Sequence, residues 1–199
     1  MSIIYTTCLR EDIEMEQKYN GFDESLWCLK RDPKDNLNLT ETFNNYMRDL
    51  YCSLLMFSNK TIIDQIYKDL HAYGVIVLRE SIGKNIDQKK FRDILSLEIE
   101  FCLNKMQNDE TIDFFSEDWA FSKLKLNDMQ RDILDATIGA IIARSDSELA
   151  RRSKINRMCK RYNISKLRYN FETAKLSKMI VGLIYENDLG SKKLIKLGK

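Results

Sequence analysis

Residues 40–57 read Thr40-Glu41-Thr42-Phe43-Asn44-Asn45-Tyr46-Met47-Arg48-Asp49-Leu50-Tyr51-Cys52-Ser53-Leu54-Leu55-Met56-Phe57. Phe43, Met47, Leu50, Tyr51, Leu54 and Phe57 recur at steps of three and four, the spacing that gathers side chains on one face of an α-helix. The same period returns downstream, and it sets the class of the fold.

After this helix, Ser58-Asn59 breaks the pattern and can cap a second helix with the apolar face Ile62, Ile63, Ile66, Tyr67 and Leu70. Gly74 reads as its stop, and Val75 to Leu78 fits either a short strand or the start of another helix. A further helix is expected over about 86–107, with Phe91, Ile94, Leu95, Ile99, Cys102 and Met106 inward and Asn108-Asp109-Glu110 at its end. Phe114, Phe115 and Trp119 form an aromatic cluster closing one end of the core. Asn127 or Asp128 can cap a helix carrying Met129, Ile133, Ile138, Ile141 and Ile142. Its wide apolar arc makes it the expected central helix, with Ala136, Gly139, Ala140 and Ala143 allowing close approach. Ser145-Asp146-Ser147-Glu148 has the form of a capping box and should start a helix ending near Tyr162. Asn163 and Ile164 interrupt it, Ser165 recaps, and a long helix runs to about Tyr185.

Upstream the pattern is weaker. Ile3-Ile4-Tyr5-Thr6-Thr7 is β-branched and fits an edge strand, residues 9–19 have a thin apolar stripe, and Arg31-Asp32-Pro33-Lys34-Asp35-Asn36 is a loop. The expected fold is mostly α, a single helical globule of six to eight helices with a short strand near the amino terminus. Residues 1–36 form an appendage, 37–190 the helical domain and 191–199 a basic tail.

Composition supports a packed core. The chain has 199 residues, 44% hydrophobic and 31% charged, with seven glycines and a single proline, which excludes collagen-like and low-complexity architectures. The amino terminus has neither a basic segment nor an apolar run of signal-peptide length, and no apolar run approaches a membrane span. The cysteines, at 8, 28, 52, 102 and 159, are odd in number and form no Cys-x-x-Cys pair. Free thiols in a reducing compartment follow. The expectation is a soluble intracellular protein, cytoplasmic or nuclear, with no membrane partner.

Net charge, +2 from 32 Lys+Arg and 30 Asp+Glu, conceals an asymmetry. Residues 1–120 hold 14 Lys+Arg and 22 Asp+Glu, a balance of −8, and residues 121–199 hold 18 and 8, a balance of +10. Within 144–178 eleven basic residues face only Asp146, Glu148 and Glu172. Such a cluster attracts polyanions or an acidic surface. Docking on the chain's own acidic part, or a solvated helical face, would use the same pattern.

Residues 155–172 read Ile155-Asn156-Arg157-Met158-Cys159-Lys160-Arg161-Tyr162-Asn163-Ile164-Ser165-Lys166-Leu167-Arg168-Tyr169-Asn170-Phe171-Glu172. Cys159 is small where two helices would cross, Met158, Tyr162 and Ile164 are apolar around the turn, Asn163 tolerates positive φ, and Ser165 can cap the second helix. The segment resembles the helix-turn-helix of DNA-binding proteins. It departs from that pattern in having Asn163 for the turn glycine, Tyr169 for a β-branched residue and Glu172 for an apolar one.

The resemblance implies a second helix offered to the major groove. Lys166, Arg168, Tyr169 and Asn170 would lie near its amino-terminal end, and Arg151, Arg152, Lys154, Arg157, Lys160 and Arg161 would contact phosphates. Tyr162, Tyr169 and Phe171 interleave with the cations and could stack on unpaired bases, although helical spacing places Phe171 in the core.

Other chemistry finds little support. His71 is the one histidine and reads as a helix-terminal residue. Glu98, Glu100, Asp109, Glu110 and Asp113 match no metal-binding spacing, and Asp132 with Asp135 is a common solvated pair. No P-loop or dinucleotide fingerprint occurs. No cofactor, no metal and no catalytic residue is expected. Trp27 and Trp119 read as packing residues. The sequence reading is a non-enzymatic nucleic-acid-binding protein, duplex DNA first, suited to regulation of transcription or replication and compatible with a homodimer. The alternative is a helical adaptor or inhibitor that meets an acidic protein partner through its basic helices or an interhelical groove.

Overall fold

The computed structural model describes residues 22–145 and 148–197, with side chains over 22–145 and 151–186. These form eight α-helices and one 3-10 turn, with no strand among the described residues. The helices are α1 (Glu24–Trp27), α2 (Leu39–Leu55), α3 (Lys60–Ser81), α4 (Gln88–Asn108), α5 (Asp128–Asp135), α6 (Ile138–Ala143), α7 (Glu148–Tyr162) and α8 (Lys166–Leu197); the 3-10 turn is Ala120–Lys123. The strand expected at residues 3–7 and the thin helix at 9–19 lie outside the described residues. Cys8 and part of the Ser145–Glu148 capping box lie outside them too.

The core lies between α2, α3 and α4. Phe43, Met47, Leu50, Tyr51 and Leu54 of α2 are buried, as are Ile63, Ile66, Tyr67 and Leu70 of α3 and Phe91, Leu95 and Ile99 of α4. Each helix starts where a side chain accepts the orphan N–H groups of its first turn. Asn59 takes Ile62 N–H and Asp87 takes Lys90 N–H. For α2 the acceptor comes from upstream: the buried Asp35 carboxylate takes Leu39 N–H at 2.8 Å, Thr40 N–H at 2.7 Å and the Thr40 hydroxyl at 2.7 Å. Burial alone would raise the Asp35 pKa; these hydrogen bonds outweigh it and hold the carboxyl below the ordinary aspartate value.

Residues 22–36, expected as part of an appendage, pack on this core. Phe22, Trp27 and Leu29 lie against it, and the Asn44 side-chain amide exchanges two 2.9 Å hydrogen bonds with the Leu29 backbone.

Three expectations need correction. Gly74 does not end α3, which runs unbroken through residues 75–78. A Cβ at Gly74 would lie 3.0 Å from the Phe43 ring and 3.6 Å from Leu95, so the glycine lets α2 and α4 close on α3. His71 is therefore mid-helix and buried, with Nε2–H donating to the Trp27 carbonyl at 2.7 Å. Burial lowers its pKa, with the carbonyl bond opposing.

The third correction concerns the expected central helix. Residues 128–143 form two short helices that part at Thr137, where φ −122° leaves the helical region, the N–H turns to the Leu134 carbonyl and the hydroxyl donates to the Ile133 and Leu134 carbonyls. α6 still buries Ile138 and Ile142 against α4, while Tyr46 of α2 donates to the Ala143 carbonyl.

The aromatic cluster is present and larger than expected. Phe114 meets Trp119 edge-on at 4.7 Å, and Phe57 stacks on Phe121 at 4.6 Å. Hydrogen bonds from Ala120 N–H to the Phe57 carbonyl and from the Ser58 hydroxyl to the Asp118 carbonyl tie this segment to the α2–α3 corner. α8 packs on α7, on α5 and on the 3-10 turn, so the basic helices attach to one side of the helical body.

Candidate nucleic-acid interface

The α7–α8 turn forms from local chemistry. Asn163 has φ 48°, a left-handed conformation that asparagine tolerates better than most residues. It lets Ile164 N–H reach back to the Cys159 carbonyl at 3.0 Å, the closing bond of a Schellman motif. The Ser165 hydroxyl then accepts Arg168 N–H at 3.2 Å and starts α8. Met158 is buried, while Ile155, Cys159, Tyr162 and Ile164 are half-buried and packed on the core, so α7 sits on an apolar stripe.

Polar contacts lock this pair of helices to the body. Lys154 Nζ lies 2.5 Å from Glu100 Oε1 of α4, with both side chains largely buried. Arg161 pairs with Asp132 of α5 at 2.9 Å, and the Tyr162 hydroxyl donates to the same carboxylate at 2.5 Å. Glu172 is only 1% exposed; its carboxylate accepts Gln130 Nε2–H at 2.9 Å and pairs with Arg168 at 2.8 Å. Gln130 also completes the capping box of α5 with Asn127, so one amide fixes both the start of α5 and the first turns of α8.

Most of the residues read from sequence as phosphate or base contacts come to the surface. Arg151, Arg152, Arg157, Lys160 and Arg161 of α7 are exposed, as are Lys166, Arg168 and Asn170 of α8. Arg157, Lys160 and Lys166, with Lys178 further along α8, form no ion pair among the described residues. Arg152, Ile155, Asn156 and Lys166 line an open concavity between the two helices.

Two residues leave the set. Lys154 is committed to Glu100. Tyr169 is 5% exposed and faces the core, because α8 buries Tyr169, Glu172, Leu176, Ile180 and Leu183 at steps of three and four. That register turns Phe171 outward, against the expectation that it is core: the residue is 52% exposed, beside Leu167 at 80%. The spacing of α8 held the signal, but the helix carries two apolar stripes and composition does not say which is buried.

Of the acidic residues read from sequence, Glu98 accepts the Tyr73 hydroxyl, Glu100 holds Lys154, Asp113 accepts Phe115 N–H and Asp135 accepts Gln107 Nε2–H. Among the described residues no cluster of histidine, cysteine or acidic side chains could hold a metal ion, and no helix is long and apolar enough to cross a membrane. Cys28, Cys52, Cys102 and Cys159 are thiols. Comparison of the chain with protein-family models, with curated proteins and with solved structures returned no match.

Proposed function

We propose that the protein binds nucleic acid, without catalysing a reaction on it, through α7, the turn and the first turns of α8. The observation that carries this reading is the exposed, unpaired state of Arg157, Lys160 and Lys166 within a surface that also exposes Arg151, Arg152, Arg161 and Arg168. Cations that a fold needs for its own cohesion turn toward its carboxylates, as Lys154 does. Cations left in water at this density raise the local positive potential and draw in a polyanion.

Phosphates meet that requirement without regard to sequence, and an asparagine such as Asn170 on the second helix adds a group that can bracket adenine. Binding of duplex DNA fits the turn geometry, and the role follows as that of a regulator of transcription or replication.

The test is a titration of labelled duplex and single-stranded DNA at low salt, with the wild-type chain and with Arg157, Lys160 and Lys166 changed together to Ala. Binding by the wild type and at least tenfold weaker binding by the folded variant support the reading. If neither protein binds duplex or single-stranded DNA at low salt, or if the variant binds as tightly as the wild type, the reading fails and an adaptor that docks on an acidic protein surface takes its place.

A further inference from the structure

α8 has two faces with different chemistry. Tyr169, Glu172, Leu176, Ile180 and Leu183 lie on the packed side. Leu167, Phe171, Ala174 and Lys178 follow the same steps of four and three about half a turn away, and all four are exposed. On this second stripe the Lys175 ammonium and the Arg168 guanidinium stand over the Phe171 ring, 4.8 Å and 5.6 Å from its centroid, cation–π contacts that a stacking base would have to displace. Lys166 and Asn170 are exposed on the same two turns.

Single exposed apolar residues are ordinary. Here two large ones stand four residues apart on one face, inside the most basic part of the chain, on a helix whose other face already serves the core. Phosphate binding alone gives no reason for them, since phosphates are recognised by cations and N–H donors. A protein partner would supply an apolar counterpart, but nothing in the structure specifies one.

An unpaired nucleotide has both complements: a flat base with exposed π faces, and a phosphate within a few ångström of it. Paired bases in duplex DNA are already stacked on their neighbours and present only edges to a groove-bound helix.

We propose that Leu167 and Phe171 form a stacking platform for unpaired bases, with Lys175 and Lys166 holding the adjoining phosphates. This inference rests on the nucleic-acid reading above and narrows its ligand to nucleic acid with exposed bases: single strands, or duplexes opened locally. Aromatic stacking is tolerant of base identity, so the platform selects for strandedness and not for sequence. Arg168 is a poor probe of it, because removing the guanidinium leaves Glu172 buried without its ion-pair partner.

The experiment uses fluorescence anisotropy with oligo-dT and with a duplex of the same length at matched salt. The proteins are the wild type, Phe171→Ala, Phe171→Trp and Lys175→Gln, each checked for native helicity by circular dichroism. The wild type should prefer the single strand. Phe171→Ala should weaken oligo-dT binding by roughly 5- to 150-fold, the fold-change equivalent to losing one base–aromatic stack, and duplex binding by less than about twofold. Phe171→Trp should restore single-strand affinity and show fluorescence quenching on binding, beyond any change in the wild type. Lys175→Gln should weaken binding and reduce its salt dependence.

Equal loss on both probes, or no loss on either, overturns the platform while leaving phosphate binding by α7 intact. Failure of every folded protein to bind either probe at low salt overturns the nucleic-acid reading itself.

Discussion

The α2–α4 core and the α7–α8 pair obey the same helical periodicity but use it differently. In the core, each helix buries one broad apolar stripe, and the rings of Phe43, Tyr51, Tyr67 and Phe91 are excluded from water entirely. Polar side chains there mostly bond to backbone groups, as Tyr46 does to the Ala143 carbonyl, Tyr67 to the Met47 carbonyl, His71 to the Trp27 carbonyl and Asp35 to the first N–H groups of α2. In α7–α8 the buried stripe is narrower, and cohesion also draws on ion pairs between distant parts of the chain. Lys154 and Glu100 lie 54 residues apart in sequence, and Arg161 and Asp132 lie 29 apart. Intramolecular docking and an outward basic surface thus exist side by side: the cations nearest the body are spent on it, and those on the far side stay in water.

This contrast is open to attack first in the core. Phe91→Ala should cost about 3–5 kcal/mol, because the site is fully buried and loses a whole ring's packing. Equilibrium denaturation will show it as a lower midpoint.

Next is the attachment of the basic helices. Glu100→Leu should cost roughly 3 kcal/mol by leaving Lys154 buried and uncompensated, and adding Lys154→Met should recover most of it. Recovery in the double variant is what separates a docking contact from a general need for charge at this position.

A smaller effect is expected at Asp35. Its folded pKa lies below the ordinary value, so its contribution is complete above about pH 4 and fades as pH falls through the folded pKa. Asp35→Asn should therefore cost about 1 kcal/mol at pH 7 and less at pH 3, read from urea midpoints at the two pH values. The smallest effect on stability belongs to Arg157→Ala, Lys160→Ala and Lys166→Ala, each within roughly 0.5 kcal/mol of wild type. A large loss there would mean that these side chains serve the fold after all.

What could be read from the sequence divides along the same line. α2 and α4 were legible because each has a single apolar stripe, the start of α3 because Asn59 offered a local cap, and the α7–α8 turn because Asn163, Ile164 and Ser165 act within a few residues of one another. Gly74 was misread as a stop because its purpose, room for Phe43 and Leu95, lies in other helices. The break at Thr137 was missed because the apolar residues on either side of it, Ile133 and Ile138 among them, keep the helical period across it. Tyr169 and Phe171 exchanged roles because α8 carries two stripes, and only packing against α5 and the 3-10 turn decides between them. Lys154 looked like its neighbours until the fold brought Glu100 to it.

The central claim is that the outward cations of α7 and early α8 meet phosphates. Its most direct test is the slope of log binding constant against log salt concentration for the wild type and for the Arg157, Lys160 and Lys166 triple alanine variant. Each phosphate contact contributes about 0.9 to the slope on duplex DNA and about 0.7 on a single strand. The expected result is a steep linear fall for the wild type and a slope shallower by about 2 to 3 for the variant. A wild-type slope near zero, or one that the three substitutions leave unchanged, would contradict it.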